Sequence, residues 1–368
     1  MTVRLLHTAD WQLGRGFSGI GGDAAALLRE ARFEAVRRLA RLAAEHEVAA
    51  VLVAGDVFDG NQVADATIHR ALQAMSGFQG PWVLLPGNHD AHLAECVWTR
   101  LERLGPPGNL HIAARPEPMA LADGRLVVLP APLTARRTPD DLSSWMDTAE
   151  TPAAALRIGL AHGAVLGRLP AGADADNPIA ADRAERARLD YLALGDWHGT
   201  LEIDRRCWYA GTPEPDRFPA NDPGNALLVE LDGPGSPPRV TRLPVAGYRW
   251  LTLELREADA ATVDRRLGEL ADAPRTLLSL RLSGSAGLAE RAAVDAACER
   301  WAARLCHLVI DDGDLVTLPE ASAGGLPDDG GPIGAVARRL AERGRAGEAD
   351  AAMALRLLWA ELERMPPA

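Results

Sequence analysis

Lysine is absent from this chain, and all 39 basic residues are arginine. That excludes a phosphate-loop lysine, a Schiff base and a lysine general base. A GC-rich coding bias, which also favours Ala, Gly and Pro, accounts for the absence. Cysteine is scarce, and Cys96, Cys207, Cys298 and Cys306 form no Cys-x-x-Cys pair, so they read as reduced, mostly buried thiols of a cytoplasmic protein with no metal or disulfide role. No apolar run approaches the roughly 20 residues of a membrane span. Met1 leads directly into Val3–Leu6 without a basic segment and a long apolar one, so export is not expected. Excess positive charge is lacking too. With 51 acidic residues, a net charge of -12 and a pI near 5.3, the chain is not a globally basic nucleic-acid coat. A local basic groove or bound metal ions remain ways to meet phosphate.

What is present is a globular composition, 47% hydrophobic and 24% charged, in 368 residues, enough for a main domain with additions. Short apolar runs alternate with amphipathic helices. Val3–His7, a helix over Asp23–Glu47 and a run over Val48–Ala54 make a βαβ unit with parallel pairing. Helices follow over Ala64–Ser76 and Glu95–Leu104, and further runs over Leu126–Leu129, Leu156–Ala161 and Tyr191–Leu194. Cys207–Ala210 and Ala226–Leu231 read as two strands closing the same sheet. The stretch Arg168–Ala187 is long enough for a functional lid.

The informative feature is where the runs end. Asp10 with Gln12, Asp56, Asn88 with His89, His162, and Asp196 with His198 each follow an apolar run, and five such ends in one parallel sheet would converge on one edge. In Leu84-Leu85-Pro86-Gly87-Asn88-His89-Asp90, proline and glycine stop the strand and let the backbone turn. Three Asp, one Asn, one Gln and two His, with another His nearby, suit a pair of divalent ions roughly 3.5 to 4 Å apart, bridged by a carboxylate.

Asp10-x-Gln12, Gly55-Asp56-Val57-Phe58-Asp59, Gly87-Asn88-His89-Asp90, His162-Gly163 and Gly195-Asp196-Trp197-His198 resemble, in family order, the motifs of the calcineurin-like metallophosphoesterases, most closely the SbcD-type DNA repair exonuclease branch. The resemblance implies an α/β fold, a four-layer αββα sandwich, and a dinuclear site preferring Mn(II), with Mg(II) or Fe(II) as alternatives. Carried over by position, it implies one ion on Asp10, Gln12, Asp56 and His198, and another on Asp56, Asn88, His162 and Asp196. Asp56 would bridge, a bridging hydroxide would attack phosphorus in line, His89 would face the phosphate and Asp90 would orient His89. DNA as substrate, an SMC-like coiled-coil ATPase as partner, cytoplasmic location and compatibility with a homodimer also follow from the resemblance.

Two positions depart from it. Asp-x-His is here Asp10-x-Gln12, and Gly-His-x-His is here Gly195-Asp196-x-His198. Each ion then exchanges an imidazole for an oxygen ligand, which favours manganese or magnesium over zinc. A third carboxylate also lowers the net positive charge, so turnover should be slower than with both histidines. Trp11 and Trp197 could stack on a base, although packing is the simpler role. Arg217 is a candidate phosphate contact, and His7 a core or supporting residue. Two other functions fit the same residues: a stand-alone phosphatase or small-nucleotide phosphodiesterase, and a weakly catalytic scaffold subunit.

The domains expected are a catalytic domain over 1–245, an α+β cap domain over 246–320, a Gly-rich linker over 321–332 and a C-terminal helical hairpin over 333–368.

Overall fold

The computed structural model describes residues 2–170, 176–218, 221–318 and 331–346, with scattered positions between 348 and 358. It divides into two compact units, Met1–Arg249 and Trp250–Ala368.

In the first unit, β1 (Val3–Thr8), α1 (Gly22–Glu45), β2 (Ala50–Val53), α2 (Asp65–Met75), β3 (Trp82–Leu84), α3 (Val97–Arg103) and β4 (Leu110–Ile112) alternate. The four strands pair in parallel in that order. There follow β5 (Met119–Leu121), β6 (Leu126–Ala131), β7 (Leu156–His162), β8 (Ala164–Val165), β9 (Pro178–Ile179), α4 (Arg183–Arg186), β10 (Tyr191–Gly195), β11 (Leu201–Asp204), β12 (Cys207–Tyr209), β13 (Asn225–Leu231) and β14 (Arg239–Pro244). β8 and β9 pair with each other in a two-stranded sheet, and the other strands complete two six-stranded sheets, ordered β14-β13-β1-β2-β3-β4 and β11-β12-β10-β7-β6-β5.

The continuous apolar runs are explained by burial on both faces. Side chains alternate across a strand, so Leu5, Ala50, Leu52, Val83 and Leu85 join Val128, Ile158, Leu160 and Ala193 in the core between the sheets. Their neighbours Leu6, Val51, Val53 and Leu84 pack instead on Val36 and Leu39 of α1, Ile68 and Ala71 of α2, and Trp98 of α3. Leu52 is fully buried, and truncating it to alanine should cost about 2–5 kcal/mol. On the far side, Leu129, Ala161, Leu192 and Tyr209 carry Met146, Ala184, Ala187 and Leu189. That fourth layer is thin, and the buried Arg183 clips it together through Asp141 and Asp147. The fold is the four-layer αββα sandwich.

The expectation of one sheet needs correction. The strands before Asp10, Asp56 and Asn88 lie in one sheet, and those before His162 and Asp196 in the other. Nor do the two later strands close a single sheet, because β12 runs parallel to β10 whereas β13 crosses back to run antiparallel to β1, pairing Leu231 with Val3. β4 and β5, each three residues long, gave too little pattern to foresee. β14 is a mostly exposed edge strand. Within the candidate lid, residues 171–175 lie outside the described residues, while β9 and α4 occupy its second half.

In the second unit, β15 (Arg249–Arg256), α5 (Ala260–Gly268), β16 (Thr276–Gly287), α6 (Leu288–Ala302) and β17 (His307–Leu318) form a three-stranded sheet ordered β15-β16-β17. Leu255, Leu278, Leu280 and Leu282 pack on Val263 and Leu267 of α5 and Val294 and Trp301 of α6. β16 and β17 run well past their apolar starts. Ser283-Gly284-Ser285 and Asp311-Asp312-Gly313-Asp314 hide the continuation, although the parallel ladder resumes after a shift between Arg281 and Ser283. Then comes α7 (Pro332–Arg345). Residues 319–330, holding most of the expected linker, and 359–368, the end of the expected hairpin, lie outside the described residues. Among the described residues no helix is long and apolar enough to cross a membrane.

Candidate metal centre

The carboxyl ends of the parallel strands from both sheets meet. After β1 and β2 the two loops run side by side, with Asp10 N–H donating to Gly55 O at 3.1 Å, Gln12 N–H to Asp56 O at 2.8 Å and Leu13 N–H to Val57 O at 2.9 Å. Asp10, Gln12, Asp56 and Asp196 all hold φ between 43° and 97°, a left-handed conformation that non-glycine residues rarely keep. Strain of this kind concentrates at functional sites. Close approach fixes two glycines. A Cβ on Gly55 would lie 2.1 Å from His162 Nδ1, and one on Gly87 would lie 2.2 Å from Asp56 Oδ1.

Asp10, Asp56 and His162 are buried and offer ligand atoms within 4.8 Å of one another. His162 Nδ1 donates to the main-chain oxygen of Ala54 at 2.8 Å, which leaves Nε2 to the site. That nitrogen faces Asn88 Oδ1 at 3.3 Å and Asp56 Oδ1 and Asp196 Oδ1 at 3.6 Å. A ring nitrogen among three oxygens requires a cation, either a proton on Nε2 or a metal ion. The proton's side of this competition is visible: burial opposes charge on His162, yet Asp56, Asp10 and Asp196 carry its pKa up to about 9. Burial pushes Asp10 up to about 6 and raises Asp196 as well. The donor set therefore fits divalent metal.

His198 enters from the other side. Its Nε2 lies 3.4 Å from Gln12 Nε2, and its Nδ1 lies 3.3 Å from Asp216 Oδ1. Gln12 does not sit as a simple oxygen donor. Its Oε1 accepts from Arg15 at 2.6 Å, while its amide nitrogen faces Asp56 Oδ2 at 3.4 Å. Asp196, 23% exposed at its side chain, donates its main-chain N–H to both oxygens of Asp10, at 3.1 and 3.2 Å.

The roles expected for Gly87-Asn88-His89-Asp90 are partly reassigned. His89 is half-buried, its main-chain N–H on Asp56 Oδ1 at 2.9 Å and its Nδ1 donating to Asp59 O at 3.0 Å, which leaves Nε2, 3.9 Å from Asp56 Oδ2, as the ring nitrogen facing the site. Asp90 does not orient this ring. Its oxygens accept the main-chain N–H groups of Gly87 at 2.7 Å and Phe58 at 3.0 Å, which pins the two loops together. Burial and then Asp56 push Asp90 up to about 8, against the pull of those two N–H groups.

Trp11 has no face open to a base. It is 1% exposed, its Nε1–H donates to Thr8 Oγ1 at 3.0 Å, and its ring meets Trp82 edge-on. Trp197 is half-buried against the outer core of the second sheet. Arg217, 57% exposed at its side chain, points back at Asp216 and at His198 Nδ1. His7 is a buried brace, Nε2 donating to Leu194 O at 3.1 Å and Nδ1 2.9 Å from Tyr191 Oη.

Asp216, Arg15 and Arg32 escaped the sequence reading. Asp216 follows β12, a parallel strand next to β10, so strand-end reasoning would have reached it. Its side chain is 1% exposed, with Arg15 Nη1 at 3.2 Å and Arg32 Nη2 at 3.7 Å. Burial favours its neutral form, but His198, Arg32 and Arg15 hold the carboxyl well below the usual range.

Two sheets that gather buried carboxylates, an asparagine and imidazoles at their joined carboxyl edges define a metal-dependent phosphoesterase. Residues 3–229 match the calcineurin-like phosphoesterase family, and the chain belongs to it. It is 30% identical to the D component of nuclease SbcCD from Rhodobacter capsulatus over 369 residues, covering 84% of this chain and 87% of that one. The protein of the same name from Escherichia coli K12 is 36% identical over 93 residues, 24% of this chain and 22% of that one. Among solved structures, purple acid phosphatase PPD1 from yellow lupin seeds aligns with 63% of this chain and 50% of its own, at 13% identity and a TM-score of 0.40.

Proposed function

We propose that the chain is the nuclease component of a cytoplasmic DNA repair complex, a Mn(II)-dependent exonuclease with room for endonuclease activity, working with an SMC-like coiled-coil ATPase. The observation that carries the chemistry is His162 Nε2 facing the oxygens of Asn88, Asp56 and Asp196, an arrangement made for a cation. Similarity to a nuclease component over most of the chain supports the substrate and the partner.

Asp10, Asp56, His198 and Gln12 would hold one ion, and Asp56, Asn88, His162 and Asp196 the other. A bound pair of divalent ions supplies an activated water and a clamp on phosphoryl oxygen. The chain supplies the rest. Main-chain contacts to Asp56 and His162 hold both side chains before substrate arrives, which lowers the reorganisation needed in the transition state. With Nδ1 held by Asp59 O, His89 can donate from a protonated Nε2 to a phosphoryl or leaving oxygen. Gln12 binds an ion through oxygen only if its amide turns over and Arg15 gives up its acceptor.

Labelled linear DNA should be degraded by the purified chain with Mn(II), and the activity should vanish in Asp56→Ala. Hydrolysis of small phosphate esters with no DNA cleavage, even with the ATPase present, would replace this reading with that of a stand-alone phosphodiesterase.

A further inference from the structure

We infer that Asp216 is a positioning residue that fixes the tautomer of His198, holding the proton on Nδ1 so that Nε2 keeps a free lone pair for the ion shared with Asp10 and Asp56. The inference rests on His198 as a metal ligand, as proposed above, and adds the group that makes it one.

Two side chains compete for His198 Nδ1. Asp216 Oδ1 lies 3.3 Å away and can only accept, which demands Nδ1–H. Arg217 Nη2 lies 2.9 Å away and can only donate, which demands a bare Nδ1 and puts the proton on Nε2. In that second tautomer the ring cannot bind metal. The contest is unequal. Asp216 is 1% exposed at its side chain and is flanked by the guanidinium groups of Arg15 and Arg32. Arg32 is itself buried and tied by Nη1 to the main-chain oxygen of Trp11 at 2.6 Å, so the positive charge beside the carboxylate is held by the β1 loop that carries Asp10 and Gln12. Arg217 is 57% exposed, and its Nε already donates to Asp216 Oδ1 at 3.2 Å. A buried carboxylate behind a ligating imidazole fixes ring orientation and tautomer and raises ligand basicity.

The two imidazoles of the site are thus set differently. His162 receives its tautomer from a main-chain carbonyl, which no substitution removes. His198 receives it from one side chain, which a substitution can remove.

Long-range nitrogen–proton NMR on full-length protein carrying ¹⁵N-histidine, with metal removed, reads the tautomer directly, and His198→Gln assigns the signal. The wild type should show Nδ1–H at His198, and Asp216→Ala should shift it toward Nε2–H. Calorimetric titration with Mn(II) should show two ions per chain in the wild type. Asp216→Ala should weaken one of them by about 10- to 100-fold and leave the other unchanged. Arg217→Ala should lose nothing. If His198→Gln retains both ions at wild-type affinity, the ligand role of His198 fails, whatever Asp216 does. If His198→Gln loses an ion but Asp216→Ala alters neither tautomer nor affinity, the inference is overturned. Should Asp216→Ala not fold, an Nε2–H tautomer in the wild-type protein overturns it alone.

Discussion

The two halves of the site are built on different supports. Around His162, the ring is held by the Ala54 carbonyl and crowded by Gly55, and its side chain is fully buried. Around His198, the ring is 11% exposed and its support is a charged side chain, Asp216, flanked by Arg15 and Arg32. Backbone support costs no side-chain ordering and resists substitution. Side-chain support can be lost or retuned by a single change, and both departures from the family pattern bear on it: Gln12 lies wholly in the His198 half, and Asp196 reaches back to Asp10 through its main chain.

Asp56 belongs to both halves, so its loss has the largest expected effect. In Asp56→Ala both ions should be released and phosphodiesterase activity should fall by more than the roughly 10²-fold that an outer support is worth. Elemental analysis after desalting checks this, and one ion kept at wild-type affinity would show that Asp56 is not shared.

Next comes Gly55→Ala, aimed at the backbone-held half. The added methyl would sit 2.1 Å from His162 Nδ1 at a φ of +89°, so the ring or the strand must move. We expect loss of one ion, a 10- to 100-fold drop in activity (about 1.4–2.7 kcal/mol) and a lower melting temperature. Wild-type metal content in this variant would mean that the backbone does not determine the His162 half.

Gln12→His tests the other half by repair. An imidazole there needs no Arg15 contact and restores a nitrogen ligand, so one ion should bind about tenfold more tightly, near 1.4 kcal/mol, and zinc should become a competent competitor for manganese. Unchanged affinity would mean that residue 12 does not reach the metal.

The strand ends were legible because strands buried on both faces are written as unbroken apolar runs, and polarity returns abruptly where chemistry begins. Which sheet each run joins was not legible. Ala50-Val51-Leu52-Val53 and Tyr191-Leu192-Ala193-Leu194 are equally unbroken apolar runs, yet they lie in different sheets. Ligand candidates could be read from residue type, but supports could not, since they depend on which oxygen meets which hydrogen. Asp90 looked like a partner for its neighbour His89 and instead caps Gly87 and Phe58. Gln12 looked like an oxygen donor and gives that oxygen to Arg15. Asp216 was hidden among prolines, next to the Arg217 that the sequence did single out.

A last expected effect bears on stability and not on the metal, and concerns how the two sheets are held in register. His7 on β1 bridges to Leu194 and Tyr191 on β10, joining the strands that lead to Asp10 and Asp196. Burial lowers its pKa to about 3, against the smaller upward pull of the Leu194 carbonyl, so the ring stays neutral in the fold while an unfolded chain protonates it near 6.5. The unfolded state then binds more protons across that window, and stability rises with pH. The contribution is complete above pH 6.5 and erodes as the pH falls toward 3, by about 2 kcal/mol at pH 5. Chemical denaturation of metal-free protein at pH 7.5 and pH 5, compared between wild type and His7→Asn, isolates it. The variant should start less stable and lose less on acidification. An equal loss in both proteins would place the acid sensitivity elsewhere and leave His7 as packing alone.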